Sequence, residues 1–370
     1  MSLHVLVSAV VLAQPMGGVR RHSAELLPRA ARILEESGGS LSVLVGREGL
    51  PFALPDSVRR IESRVPSHPV LVRATLEGRA LRRAVAEARA AARPYDVVHL
   101  AHLPVPRGIA AARSHTIHDL RALELEHTPR SRRLVAQKLI GAALETAAVV
   151  ITVSEQVRGR VLERFRLDPA RVRVVPNAAD HFEPLPRRVL ADAPILHVGH
   201  LEPRKNLGLL LRALALDPTL PRLLLAGLSK HGEDARLFGL AEELGVQGRV
   251  EFLGPFEDRD LPGLYAGAAC VALPSRLEGF GIPALEAQCA GAPLAVSRTG
   301  ALLEVAGDVP AFSPDDPAEC ARALRAAIAT APRELDAARL RGQRFRWDAS
   351  AAALVAAWRA AAPGPGRDGA

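Results

Sequence analysis

The stretch LPSRLEGFGIPALEAQCAGAP, residues 273–293, sets two carboxylates, Glu278 and Glu286, eight positions apart around the glycines Gly279 and Gly281. Glycines at a strand-to-helix turn let the backbone pass close to a ligand and leave the N–H groups of the helix start free to bind an anion. Pro283 suits the first helical position, where its missing N–H costs nothing. A carboxylate beside a phosphate repels it, so both glutamates are expected to face hydroxyls. A nucleotide sugar carries phosphates and hydroxyls together and satisfies the whole stretch. A second charged loop, EPRKN, brings Arg204 and Lys205. Lys138, Lys205 and Lys230 are the only lysines in a chain rich in arginine, which makes Lys205 a candidate wherever a compact ammonium is needed.

Other constellations are weaker. His99, His102, His115 and His118, with Asp119, imitate a paired H-x2-H zinc set. Residues three apart on a strand point to opposite faces, so these histidines are read instead as strand-end groups lining a cleft, with His99 and His102 assigned to an acceptor pocket. Asp258-Arg259-Asp260 imitates a metal-binding D-x-D, but it opens a helix, where the dipole favours acids anyway. GFGIPA also reads as G-x-G-x-x-A, a dinucleotide fingerprint. That motif belongs after the first strand of its domain, whereas this copy lies late in the second half and Arg298 stands where an acid for the ribose is wanted.

The elements that must position these groups follow a clear rhythm. With 370 residues, 48% of them apolar, the chain suits two domains. Apolar runs near 3–13, 41–45, 96–100, 114–118, 148–153 and 172–175 alternate with helical patterns, and the rhythm resumes at 195–199, 222–226, 249–253, 269–274 and 293–297. That alternation predicts α/β architecture with parallel sheets. The expected division is a domain over 1–176, a Pro/Ala-rich linker over 177–194, a second domain over 195–346, a helix over 347–362 packing back on the first domain, and a disordered tail over 363–370. Two similar open sheets facing each other imply a cleft, with ligands at the carboxyl ends of strands.

The formal charge of +8 is uneven: up to residue 185 there are 27 Lys and Arg against 18 Asp and Glu, and beyond it 21 against 22. Helix 70–93 accounts for part of the surplus, placing Arg79, Arg82, Arg83, Arg89 and Arg93 within an arc of about 120° opposite Leu81 and Val85. Such a face is compatible with a weak peripheral membrane contact, or simply with solvent. Nucleic-acid motifs and aromatic anchors are missing. No apolar run reaches the roughly 20 residues of a membrane span. LHVLVSAVVLA lacks the flanks of a signal peptide and is expected to be a buried strand. Cys270, Cys289 and Cys320 fit no metal or redox spacing, which suits a reducing cytoplasm, and the abundance of Arg and Ala suits a GC-rich bacterial genome.

Glu278 and Glu286 match the E-x7-E motif, and with GGVRRHSAEL, TIHDL, VVITVSE, VVPNAAD, VGHLEPRKNLGLLLRAL and RVEFLGPFEDRDLPGLYAGA, in that order, the chain resembles retaining glycosyltransferases of the GT-B fold, family 4 (group 1) type, similar to bacterial mannosyl- and glucosyltransferases. The resemblance implies two Rossmann-like doubly wound domains, an N-terminal acceptor domain and a C-terminal donor domain. It also implies transfer of a hexose-type sugar from a UDP- or GDP-linked donor, without a metal or other cofactor, to a hydroxyl of a saccharide, lipid-linked or natural-product acceptor. By the same resemblance Glu286 holds the ribose hydroxyls and Glu278 approaches the donor sugar. Backbone at Phe280, Gly281 and Ile282 meets diphosphate and sugar oxygens, and Arg204 and Lys205 stabilise the departing diphosphate. His118 lies beside the reacting carbon, Gly17 and Gly18 form a loop closing over the ligands, and backbone around Leu253 to Phe256 reads the base. His200 stands where many relatives carry arginine. The alternatives are a sugar-nucleotide epimerase of similar fold and an NADP-dependent oxidoreductase.

Overall fold

Short buried aliphatic runs form two wholly parallel sheets in the computed structural model, which describes residues 2–14, 17–102, 108–124 and 129–363. The first contains β1 (His4–Ser8), β2 (Ser40–Val45), β3 (Arg59–Glu62), β4 (Val97–Leu100), β5 (Ala112–Ile117), β6 (Val149–Thr152) and β7 (Val172–Val174), in the order β3-β2-β1-β4-β5-β6-β7. The second contains β8 (Ile195–Val198), β9 (Leu223–Ala226), β10 (Val250–Gly254), β11 (Cys270–Leu273), β12 (Leu294–Ser297) and β13 (Ala311–Phe312), in the order β10-β9-β8-β11-β12-β13. Val5 pairs with Leu41 on one side and Val97 on the other; Ile195 pairs likewise with Leu223 and Cys270. Central strands flanked on both faces by helices are buried throughout, which is why they read as continuous apolar runs rather than alternating ones. In each sheet the strand order reverses once, between β1 and β4 and between β8 and β11. Ligands of open α/β sheets bind outside the carboxyl ends of strands at such a reversal.

The chain divides into one unit of Met1–Pro176 with Trp347–Ala370, and a second of Asn177–Arg346. The apolar run at 3–13 is not one strand. Pairing stops at Ser8, and Val10–Ala13 continues as a buried 3-10 turn. β3 and β13 escape the sequence pattern because β3 is largely exposed and charged while β13 has two residues. Residues 177–194 carry no regular element, yet they dock on the second unit, where Arg187 donates to the Tyr265 carbonyl at 2.8 Å and the Arg188 N–H to that of Ala266 at 3.0 Å.

The helix Trp347–Ala361 returns to the first unit. Trp347 and Trp358 are fully buried, edge-on to His22 and His99 at ring-centroid separations of 6.4 and 5.4 Å. Asp348 pairs with Arg29 and Arg32 at 3.3 and 2.9 Å. The tail beyond 363 lies outside the described residues. The helix Val70–Ala90 buries Leu81, Ala84, Val85 and Ala88 and exposes Arg79, Arg82, Arg83 and Arg89; Arg93 lies past its end. Arg73, on the inner face, is buried beside Glu77 at 3.7 Å. Among the described residues no helix is long and apolar enough to cross a membrane.

Buried histidines give this fold a pH signature. Burial pushes His99 and His115 down to about 3 and His197 to about 4. Their folded-state values lie below the unfolded value near 6.5, so the unfolded chain takes up more protons. The stability they permit is complete above about pH 6.5 and is lost as pH falls from there toward 3–4, by up to about 1.4 kcal/mol per pH unit for each histidine. Urea midpoints are therefore expected to fall steeply between pH 7 and 5. A flat profile over that range would contradict this burial.

Candidate active site

The EPRKN loop follows β8 and the LEGFG turn follows β11, so the reversal in the second sheet lays them side by side. Pro203–Lys205 forms a 3-10 turn closed by Asn206 in the left-handed region, φ 56°. The Asn206 amide donates to the carbonyls of Pro274 and Pro314 at 3.3 and 2.8 Å, and the Arg276 N–H to the Arg204 carbonyl at 2.9 Å. These bonds stitch the two loops together.

Glu278 is the hub. Lys205 Nζ lies 2.6 Å from its Oε1, Ser275 Oγ donates to the same oxygen at 2.8 Å, and Arg204 Nη1 reaches Oε2 at 3.2 Å. Arg204 also pairs with Glu202 at 2.7 Å. Side-chain exposure is 15% for Arg204 and 9% for both Lys205 and Glu278. Burial alone would raise the Glu278 carboxyl, but the charges of Lys205 and Arg204 and the bonds from Lys205 and Ser275 overcome it and hold the group at about 2. Burial pulls the Lys205 ammonium below its usual range, and Glu278 opposes that pull. His200 is pushed to about 4, by burial first and then by Lys230. It is therefore neutral near pH 7 and brings no positive charge.

Gly281 precedes the helix Ile282–Cys289 with φ 97°, a left-handed conformation open to glycine, and a Cβ there would come within 2.5 Å of Leu302 Cδ2. Gly281→Ala is expected to lose about 1–3 kcal/mol of stability, read as a lowered urea midpoint; an unchanged midpoint would contradict the assigned turn. Phe280 is buried edge-on to Phe345 at 5.8 Å, Ile282 is buried, and Pro283 occupies the first turn. Glu286, 4% exposed, accepts from Tyr265 Oη at 2.6 Å and from His181 Nε2 at 2.9 Å. Burial and the adjacent Glu286 charge raise Tyr265 well above its usual range, so the phenol stays protonated and donates.

The second unit thus carries Arg204, Lys205, Glu278, Phe280, Gly281, Ile282 and Glu286 on two adjoining loops and one helix. Phe256 is half-buried beyond β10, after Gly254, whose carbonyl accepts the Gly227 N–H at 2.9 Å. The first unit carries the remainder. Gly17 and Gly18 open the helix Gly17–Glu36, and its His22 lies edge-on to His118 at 4.9 Å. Burial, then His22, lowers His118 well below the usual range, and its Nε2 is buried without a partner among the described residues.

His99 is held inside the sheet, its Nδ1 2.8 Å from Ser114 Oγ and its ring against Trp358, so it does not line a pocket wall as the sequence reading expected. His115 is likewise buried. Among the described residues no group of three or more His, Cys, Asp or Glu is arranged to hold a metal ion, and Asp260 caps its own turn by accepting from the Glu257 N–H at 2.9 Å.

Sequence reasoning missed Ser275, Glu202, Tyr265, His181 and His197. Tyr265 is one of only two tyrosines in the chain, a signal available in advance. His197 had none. It is fully buried on β8, donates from Nδ1 to the Ala272 carbonyl at 3.0 Å, and leaves Nε2 without a partner among the described residues.

Comparison with known proteins bears on the family and the fold. The family model for glycosyl transferases group 1 matches residues 188–339, and that for glycosyltransferase family 4 matches residues 16–181. The chain is 29% identical over 337 residues to O-antigen chain mannosyltransferase B of Escherichia coli, covering 83% of this chain and 85% of that protein. It is 34% identical over 284 residues to D-inositol 3-phosphate glycosyltransferase of Corynebacterium jeikeium (strain K411), covering 70% of this chain and 65% of that protein, just under two thirds of its length. In fold it is similar to sucrose-phosphate synthase from Thermosynechococcus elongatus, with a TM-score of 0.75 and 22% identity over 96% of this chain and 98% of the other. With both halves matched in order and a doubly wound sheet in each unit, the chain belongs to the glycosyltransferases of the group 1, family 4 type and has their GT-B fold.

Proposed function

We propose that the protein is a retaining, metal-independent hexosyltransferase that takes its sugar from a UDP- or GDP-linked donor and passes it to an acceptor hydroxyl. The observation that carries this reading is the convergence of Arg204, Lys205 and Glu278 at the strand-order reversal of the second sheet, beside the helix that bears Glu286. The donor's diphosphate meets Arg204, Lys205 and the backbone at Phe280, Gly281 and Ile282, its sugar hydroxyls meet Glu278, and its ribose hydroxyls meet Glu286. As the bond from the anomeric carbon to the diphosphate breaks, charge gathers on the leaving oxygen. Fixed cations and helix-start N–H groups stabilise that charge more than they stabilise the bound donor. The acceptor hydroxyl attacks from the same face and gives its proton to the departing diphosphate, so the configuration is retained. On the first unit, His118 and the helix start at Gly17–Gly18, which is helical rather than a loop, are assigned to the acceptor, and His118, lowered well below its usual range by burial and then by His22, carries no positive charge near neutral pH.

The acceptor is a saccharide, lipid-linked or natural-product hydroxyl. For a lipid-linked acceptor the exposed arginines of the helix Val70–Ala90 provide a weak contact with anionic headgroups; sedimentation with phosphatidylglycerol but not phosphatidylcholine vesicles tests it. The free thiols of all three cysteines suit a bacterial cytoplasm. An epimerase or NADP-dependent oxidoreductase finds no support among the relatives.

The experiment is a thermal-shift panel with UDP, GDP, ADP and NADP, each with and without chelator. A ligand at 100 times its dissociation constant adds about 2.7 kcal/mol. A shift with one nucleoside diphosphate that persists in chelator is expected, and a shift with NADP alone would overturn the assignment.

A further inference from the structure

The two cations assigned to the diphosphate already have partners on this chain. Lys205 Nζ sits 2.6 Å from Glu278, and Arg204 divides its guanidinium between Glu278 at 3.2 Å and Glu202 at 2.7 Å. The four formal charges cancel. A diphosphate approaching this cluster gains little net attraction unless a carboxylate gives way, and Glu278 is the one that blocks both cations.

On the donor-site reading above, on which this inference rests, we propose that Glu278 competes with the diphosphate for Lys205 and Arg204, and so makes the site discriminate an intact sugar donor from the free nucleoside diphosphate. When the donor binds, its sugar hydroxyls replace the cations as partners of Glu278, so turning that carboxylate away from Lys205 and Arg204 leaves it hydrogen-bonded. When the product diphosphate occupies the site there is no sugar to receive Glu278. The ionised carboxylate returns to the cations and weakens their hold on the diphosphate. Ser275 favours this return, because its hydroxyl donates to Oε1 at 2.8 Å and keeps Glu278 on the cation side. Gly199 leaves room for the exchange: with φ 137° it has no side chain at a point 4.0 Å from Lys205 Nζ and 3.8 Å from His197 Nε2. A glutamate that only bound sugar hydroxyls would affect donor affinity and leave affinity for the free nucleotide untouched.

The test is isothermal titration of wild type and Glu278→Gln with UDP, GDP, UDP-glucose and GDP-mannose, together with turnover. Removing one charge that competes for charge-assisted bonds is expected to tighten nucleoside diphosphate binding on the order of tenfold, while turnover falls and the preference for sugar nucleotide over nucleoside diphosphate shrinks. Ser275→Ala keeps the charge but loosens its anchor, and is expected to tighten nucleoside diphosphate binding by about two- to threefold. It also serves as the second variant if Glu278→Gln does not fold. Unchanged or weaker diphosphate binding in a folded variant overturns the proposal. Failure of wild type to bind any of the four nucleotides would instead overturn the donor-site reading beneath it.

Discussion

Lys205→Ala is expected to lower turnover by about two to three orders of magnitude, the usual scale for removing one preorganised group that stabilises a developing oxyanion. The same substitution removes the nearer cation from buried Glu278 but leaves Arg204 and Ser275 bonded to it, so stability should fall by about 1–3 kcal/mol, the cost of losing one partner of a buried group. The two effects separate experimentally: urea unfolding reads the second, and initial rates at saturating donor on the folded fraction read the first. Lys205→Arg keeps the charge but replaces a compact ammonium with a planar fork, so it should recover stability more fully than turnover. Wild-type turnover from Lys205→Ala would remove the diphosphate role from this residue.

Glu286→Ala should raise the donor dissociation constant by about ten- to a hundredfold, as expected when a charged hydrogen-bond acceptor is lost. Its carboxylate is aimed by two donors, Tyr265 Oη and His181 Nε2. Truncation therefore also leaves a buried phenol without its acceptor. Tyr265→Phe separates these contributions, because it keeps the carboxylate and removes one of its anchors; a few-fold loss of donor affinity with little change in turnover is expected. Equal affinity in wild type and Glu286→Ala, measured by titration with the intact donor, would contradict the ribose assignment.

The parts of the site that local chemistry dictates were legible in the sequence. The glycines before Pro283 marked a strand-to-helix turn, and Gly281, with φ 97°, immediately precedes the helix Ile282–Cys289. The amphipathic pattern of the helix Val70–Ala90 was legible for the same reason, since its period alone separates Leu81 and Val85 from the exposed arginines. What could not be read was pairing across the fold. Arg204 and Glu278 lie 74 residues apart and meet because β8 and β11, which are not consecutive in sequence, are neighbours in the sheet. The sequence therefore suggested two cations facing a diphosphate and gave no sign that Glu278 already holds them.

Histidines misled for a related reason. Their places at strand ends were read as lining a cleft, but position along a strand carries no information about depth, and His99 and His115 lie on buried strand positions. His181 and Tyr265 were hidden because each acts on Glu286 from a different element, the irregular segment after residue 176 and the helix Leu261–Gly267.

The most direct test of the central claim follows the sugar itself. Purified enzyme is incubated with UDP-glucose, UDP-galactose or GDP-mannose in the presence of chelator. Phosphorus NMR then reads release of the nucleoside diphosphate, while proton NMR reads the anomeric configuration of the first sugar product, whether formed on an acceptor or on water. Release from one of these donors, with a product of the donor's own configuration, is expected. Release with the opposite configuration, or release that stops when metal is removed, would contradict a retaining, metal-independent transfer.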